Sequence, residues 1–250
     1  MPSPVTLILP FYAQPLMLQR QLAELNHYPP AVQVIIVDDG SPEPAERVVR
    51  KYASAALLEH LRLFRITVDV AWNREMARNL GAQEAQTEWI VQVDLDHVLS
   101  VGCVPDLLAL QPAPQHWYRF PRWRRGRADA TRQKDMLARE CDFGAIHPHV
   151  DSYLVRRDTY WTAGGYSEDF SGVLGGGGEF LARLARTAGP PLLLPSGIHL
   201  HVVTRSVAED SSITGLSRDT APGKAIWREK QARGLPRPTA WCLKPWERVL

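Results

Sequence analysis

The sequence predicts an α/β fold: a mostly parallel sheet flanked by helices, in one domain with an extension on one side. Three observations predict it. Between Val5 and Asp94, short apolar runs alternate with stretches whose apolar residues recur at helical spacing. That β-α-β-α-β-α-β order is what crossovers between parallel strands produce. Two of the strands end in acidic clusters, Asp38-Asp39 and Asp94-Leu95-Asp96, which a parallel sheet places on one rim. Finally, 250 residues with 45% hydrophobic and 22% charged content are enough to bury one substantial core.

The elements follow in order. Val5-Thr6-Leu7-Ile8-Leu9-Pro10 is an apolar run closed by proline, with Phe11-Tyr12 at its mouth. Pro15 to His27 carries Leu16, Leu18, Leu22 and Leu25 at near-helical spacing and stops at Tyr28-Pro29-Pro30. Val32 to Val37 is the second strand. Pro44 to His60 reads as one helix, with Val48, Val49, Tyr52 and Leu57 on its apolar side. Leu61 to Ile66 alternates as a third strand. Glu75 to Ala85 is helical, with Met76, Leu80 and Ala85 as a stripe, and Trp89 to Asp94 is the fourth strand.

Bulk properties exclude several classes. The net charge of +2 implies no general polyelectrolyte role. Three scattered cysteines, Cys103, Cys141 and Cys242, fit neither a disulfide framework nor a zinc site and suit a reducing cytoplasm. The first residues carry no basic, apolar leader, and no run reaches the ~20 apolar residues of a membrane span. Membrane contact, if any, is peripheral.

Asp94 and Asp96, one residue apart at a strand end, repel each other unless a cation lies between them. Mg²⁺ or Mn²⁺, with their preference for oxygen ligands, would serve. A solvated acidic turn is the other reading of so short a pattern. No G-x-G-x-x-G or Walker loop is present, so a bound phosphate would rely on metal and cations.

The segment from Val5 to Asp96 resembles the nucleotide-binding half of GT-A-type (Rossmann-like) glycosyltransferases, in particular the large family 2. The matching residues are Leu9-Pro10-Phe11-Tyr12, Val37-Asp38-Asp39-Gly40-Ser41, Asn73 with Ala77-Arg78-Asn79-Leu80-Gly81-Ala82, and Asp94-Leu95-Asp96. The resemblance implies a nucleoside-diphosphate sugar donor, UDP-sugar favoured. It implies that Pro10, Phe11, Tyr12 and Asp39 hold base and ribose, that Asn73 and Arg78 flank the donor, and that Asp94 and Asp96 approach ribose, sugar and metal. Asn73 also reads as a helix cap, and Arg78 as the partner of a carboxylate under the sheet.

Past Asp96 the texture changes. Trp117 to Arg127 mixes aromatics with five arginines and reads as an edge strand leading into an exposed basic loop. Such a loop suits nucleic acid or an anionic surface, and equally a solvated edge. Residues 131 to 140 suggest a short helix. Trp161 to Phe170, with Gly164-Gly165, resembles the acceptor-side signature of the galactosyl and N-acetylgalactosaminyl-transferase group. There an acidic pair enters a helix and one carboxylate takes the acceptor proton. The chain departs from it: the expected pair falls on Gly176-Gly177, within Gly175 to Gly178, which reads as a flexible loop. Glu179, Glu168 and Asp169 are the remaining base candidates, or an efficient base is lacking.

Leu192 to Val203 reads as a late strand with His199 and His201 on one face. The resemblance implies that a histidine here is the third metal ligand, His201 before His199, and its neutral form would be needed, so activity should fall below pH ~6.5. Thr204 to Gly223 reads as a lid in which Arg205, Arg218 or Lys224 meets the diphosphate, or as a linker. Aromatics of the tail from Trp227 pack back on the domain.

The expectation is therefore a nucleotide-sugar-binding half at 1–97 and an acceptor-binding half at 98–250. The activity expected is metal-dependent transfer of a sugar to an acceptor hydroxyl, on a glycan or on the hydroxymethylated DNA of a viral genome, with inversion. The alternative is a catalytically weak sugar-nucleotide- or glycan-binding module.

Overall fold

A computed structural model describes residues 4–125, 148–203, 216–217 and 219–250. The first half is the expected alternation: β1 (Val5–Phe11), α1 (Pro15–Leu25), β2 (Val32–Asp38), α2 (Ala45–Tyr52), α3 (Ala55–Leu58), β3 (Leu61–Ile66), α4 (Arg74–Glu84) and β4 (Trp89–Gln92). The predicted helix over 44–60 is two. Ala53 turns extended, and Ser54 caps α3 by accepting the Leu57 amide at 3.2 Å. Asn26 Oδ1 accepts the Ser54 amide at 2.7 Å, so the break is anchored to the end of α1.

The second half contains β5 (His97–Leu99), α5 (Val104–Ala109), β6 (Tyr118–Arg119), β7 (Arg122–Arg125), β8 (Tyr153–Arg156), α6 (Arg157–Thr162), α7 (Gly176–Ala188), β9 (Leu192–Leu193), β10 (Leu200–Val203), α8 (Ala221–Ala232) and β11 (Trp246–Arg248). The predicted late strand is broken at Pro195-Ser196-Gly197. Its first part joins the main sheet as β9, and its second joins a small sheet as β10. Arg122–Arg125, expected in an exposed loop, is strand β7, parallel to β10. Residues 126–127, the suggested helix at 131–140, and Arg205 and Arg218 of the expected lid lie outside the described residues.

The main sheet runs β11-β3-β2-β1-β4-β8-β6-β9. β3, β2, β1 and β4 are parallel; β8 is antiparallel to β4, and β11 to β3. The connection from β1 proceeds outward to β2 and β3, then returns across the sheet through α4 to β4. The crossover reverses between β1 and β4, and their C-terminal ends open a crevice there. β6 lies inside the sheet, because β9 pairs along its other side. Trp246 of β11 packs edge-on against Phe64, and Trp241 against Trp161, so the tail aromatics do fold back.

Alternate residues of β1 divide between two cores. Leu7, Leu9 and Phe11 face α1, α2 and α5, whereas Ile8 faces α4, α6 and α7. Gly81 of α4 lies directly on Ile8; a Cβ there would overlap the Ile8 side chain, which sets how closely α4 sits on the sheet. Among the described residues no helix is long and apolar enough to cross a membrane.

Candidate active site

A pocket of about 270 Å³ lies at the crevice between the ends of β1 and β4. Pro10, Phe11, Tyr12, Asp39, Arg78, Asp94 and Asp96 all line it, which brings most of the predicted donor-side residues together; Asn73, also predicted there, is buried and does not line it. Arg74 and His149 line it too, and neither was singled out in the sequence.

The two carboxylates after β2 divide the work. Asp38 accepts the Ser41 and Ala45 amides, each at 2.8 Å, and so holds the turn into α2. Asp39 turns into the pocket and accepts Asn73 Nδ2 at 2.8 Å. Burial pushes the Asp39 carboxyl well above its usual range, with the Asn73 hydrogen bond acting against it. Asn73 stands before α4 but makes no side-chain cap. It bridges Asp39 and Ser171, whose hydroxyl donates to Asn73 Oδ1 at 2.6 Å. Tyr12 donates its hydroxyl to Asp69 at 3.0 Å; burial and that neighbour raise its pKa to about 12, so the phenol stays protonated.

Arg78 is fully buried on the face of α4 that meets the sheet. It donates to Asp94 and to the carbonyl of Asp151 at 3.2 Å, and lies 5.7 Å from the centre of the Tyr166 ring. Burial alone would raise the Asp94 pKa; the Arg78 guanidinium and His149 outweigh it and bring it below the usual value. The loop that carries Asp94 and Asp96 is fixed from below by Gln21, whose amide donates to the carbonyls of Leu95 and His97, both at 2.9 Å. A glutamine on the otherwise apolar stripe Met17-Leu18-Leu22-Leu25 was the signal for that role.

Asp94, His97 and His149 each offer a ligand atom, and the three atoms lie within 4.8 Å of one another. His97 is hemmed in: its Nδ1 is 2.9 Å from Asp96 Oδ1 and its Nε2 is 3.2 Å from Arg122. His149 Nδ1 is 3.2 Å from Asp94 Oδ2, and burial lowers its pKa, which favours the neutral, ligating ring. Carboxylate oxygens with an imidazole suit a divalent cation such as Mn²⁺. The late histidines stand elsewhere. His199 stacks on Trp123 at 4.0 Å and His201 meets the same ring edge-on at 5.9 Å, so both share one face as their spacing predicts. Neither lines the pocket.

The acceptor-side candidates are engaged in scaffolding. Glu168 accepts Asn79 Nδ2 at 3.0 Å and the amides of Cys242 and Leu243 at 2.7 and 3.1 Å, tying the tail to α4. Asp169 pairs with Lys230 of α8 at 2.6 Å. Glu179 is sealed inside α7 by both guanidinium arms of Arg183, each at 2.7 Å. None of the three lines the pocket. The glycine run is not a loop: Gly176 to Gly178 form the first turn of α7. A Cβ at Gly176 would lie 2.8 Å from Glu75 Cγ, and one at Gly177 would lie 2.9 Å from Asp151 Cγ. Two carboxylates from other elements therefore fill the space that side chains at these positions would take.

The family model described as Glycosyl transferase family 2 matches residues 6–173, more than half of the chain. No curated protein matches the chain. Among solved structures, TarS 1-349 of S. aureus in complex with UDP-GlcNAc aligns with a TM-score of 0.70 at 13% identity, over 95% of this chain and 68% of that one. TarS 1-349 without that ligand gives 0.59 at 13% identity, and the present chain spans 60% of its length. A mannosyltransferase from Pyrobaculum calidifontis, PcManGT, in complex with GDP-Man and Mn²⁺, gives 0.56 at 18% identity, over 94% of this chain and 64% of that one. At these identities the likeness is one of fold.

Proposed function

The chain belongs to glycosyl transferase family 2, and from that membership we propose that its rim pocket binds a nucleoside-diphosphate sugar and passes the sugar to an acceptor hydroxyl. The observation that carries the reading is the convergence of Asp39, Arg74, Arg78, Asp94, Asp96 and His149 on one crevice, at the reversal point of the sheet. In this reading Phe11, Tyr12 and Asp39, which line the crevice, meet base and ribose. The side chain of Arg74, partly exposed at the pocket, is the cation for the diphosphate. The donors in the similar structures, UDP-GlcNAc and GDP-Man, support this class of ligand, with a uridine nucleotide first in order.

Asp94 and His149, with Asp96 and His97 beside them, would hold a divalent cation. Bound there, it would offset the charge on the leaving diphosphate. Arg78 keeps Asp94 ionised and oriented, and Gln21 fixes the loop beneath. Attack by the acceptor oxygen from the side opposite the diphosphate gives inversion. The turn at Gly164–Phe170 works as scaffold through Asn79 and Glu168.

The test is release of nucleoside diphosphate from UDP-GlcNAc, UDP-galactose and GDP-mannose, with Mn²⁺ and with chelator. Release from at least one donor that needs Mn²⁺ is expected. Equal background from all donors in both conditions would leave only a binding module.

A further inference from the structure

Transfer to a hydroxyl needs a group to take the proton, and the carboxylates around the pocket can be sorted by what they already hold. Asp39 accepts from Asn73, Asp94 pairs with Arg78, and Asp96 lies against His97. Glu168, Asp169 and Glu179 are scaffold. Glu75 remains. It is fully buried, and neither carboxylate oxygen has a hydrogen bond to another residue among those described. The nearest cation is Arg74, whose Nε is 3.5 Å away. Asp151 lies beside it; it accepts the Tyr166 hydroxyl at 3.0 Å, and among the described residues its other oxygen has only Arg74, at 3.6 Å. A buried carboxylate left this bare is expensive to keep unless it has work to do.

Its position fits such work. Arg74, the preceding residue, lines the pocket, as does Leu174, two residues before Gly176. The main chain of Gly176 lies against the carboxylate, and the preceding Gly175, beside Gly223, has a φ of +141°, a conformation left to glycine. We infer that Glu75 is the proton acceptor of the transfer, carried on α4 instead of α7, and that Gly176 and Gly177 are glycines to make room for Glu75 and Asp151. The inference rests on the transferase reading above. The acceptor displaces the Leu174–Gly176 turn, and its hydroxyl meets the Glu75 carboxylate. As the oxygen bonds to the anomeric carbon, the bond from that carbon to the diphosphate oxygen breaks. The electron pair leaves with the nucleoside diphosphate and the proton passes to Glu75.

The environment suits a base. Burial pushes the Glu75 carboxyl up to about 7; Asp151 adds to this, while Arg74, Arg78 and the residue's own amide oppose it. These groups come from α4 and the segment before β8; Asp39 after β2 is a further carboxylate within electrostatic reach, and the face toward α7 presents glycines without charge.

The experiment follows nucleoside diphosphate release from the donor that wild type turns over, with UDP or GDP binding measured alongside. Glu75→Gln should slow release about 100-fold or more, leave nucleotide binding within about threefold, and abolish a rise in rate centred near pH ~7. Glu75→Ala should be equally slow. The double variant Glu75→Ala with Gly176→Glu, which returns the carboxylate to α7, should recover at least tenfold over Glu75→Ala. A Glu75→Gln enzyme within threefold of wild type overturns the assignment. So does a double variant no faster than Glu75→Ala, which would make Glu75 a packing residue; should Glu75→Gln not fold, the double variant decides alone. Wild type that turns over no donor defeats the transferase reading itself, a different result.

Discussion

Replacing Arg78 by methionine removes the charge but keeps most of the volume under the sheet. Arg78 is the chief cation on Asp94, and it also holds the Asp151 carbonyl at 3.2 Å and Gln92 Oε1 at 3.4 Å. Breaking a buried pair by removing one partner costs about 3–5 kcal/mol. The Asp94 side chain is 21% exposed, so solvent relieves part of the loss and the lower end, about 3 kcal/mol, is expected. For a chain of this size that lowers Tm by about 6–12 °C. The pH dependence has a definite sign. The folded-state pKa of Asp94 lies below its ordinary value, so its stabilisation is fully present above the unfolded pKa near ~4 and is lost as pH falls through the folded value. The Tm gap between wild type and Arg78→Met should therefore be widest at neutral pH and should narrow toward pH ~3. Differential scanning calorimetry in chelator from pH 3 to 8 measures it. A gap under 2 °C at pH 7, or one that does not narrow in acid, would refute the pairing as the source of stability.

Other outcomes follow from the same contacts. Gly81→Ala pushes a methyl into Ile8 and should cost about 1–3 kcal/mol, read as a lower urea midpoint. Asp39→Asn keeps the shape and an acceptor for Asn73 but removes the carboxylate that the proposed reading sets against the ribose, so UDP affinity in titration calorimetry should fall at least about tenfold with little change in Tm. His149→Ala should remove most of the effect of Mn²⁺ on nucleotide affinity, while His201→Ala, against Trp123, should leave it unchanged. The comparison separates the histidine the structure favours from the one the sequence suggested.

The rim pocket was legible because its signals are local. β1, β2 and β4 are largely apolar runs, and Asp39, Asp94 and Asp96 stand just past the ends of β2 and β4, where the topology alone brings them to one rim. The surroundings of the α7 glycines were not legible, because their contacts join distant segments. Glu75 looked like an ordinary acidic residue opening a helix, and nothing in Gly175 to Gly178 shows that α4 fills the space beside it. His149, two residues after His147, belongs to no motif the sequence offers, and its approach to Asp94 depends on the chain's return before β8. The break between α2 and α3 was hidden because Ala53 and Ser54 are both tolerated in helices, and it is Asn26, outside the predicted helix, that holds the turn.

The most direct measurement is a calorimetric titration of UDP and of GDP into the protein, with Mn²⁺ and with chelator, repeated on Asp94→Asn. Binding of one nucleotide that strengthens at least tenfold with Mn²⁺, and loses that gain in Asp94→Asn, is the predicted result. A nucleotide that binds equally with and without the metal, or an Asp94→Asn protein that keeps the gain, would contradict a metal-assisted donor site at the end of β4.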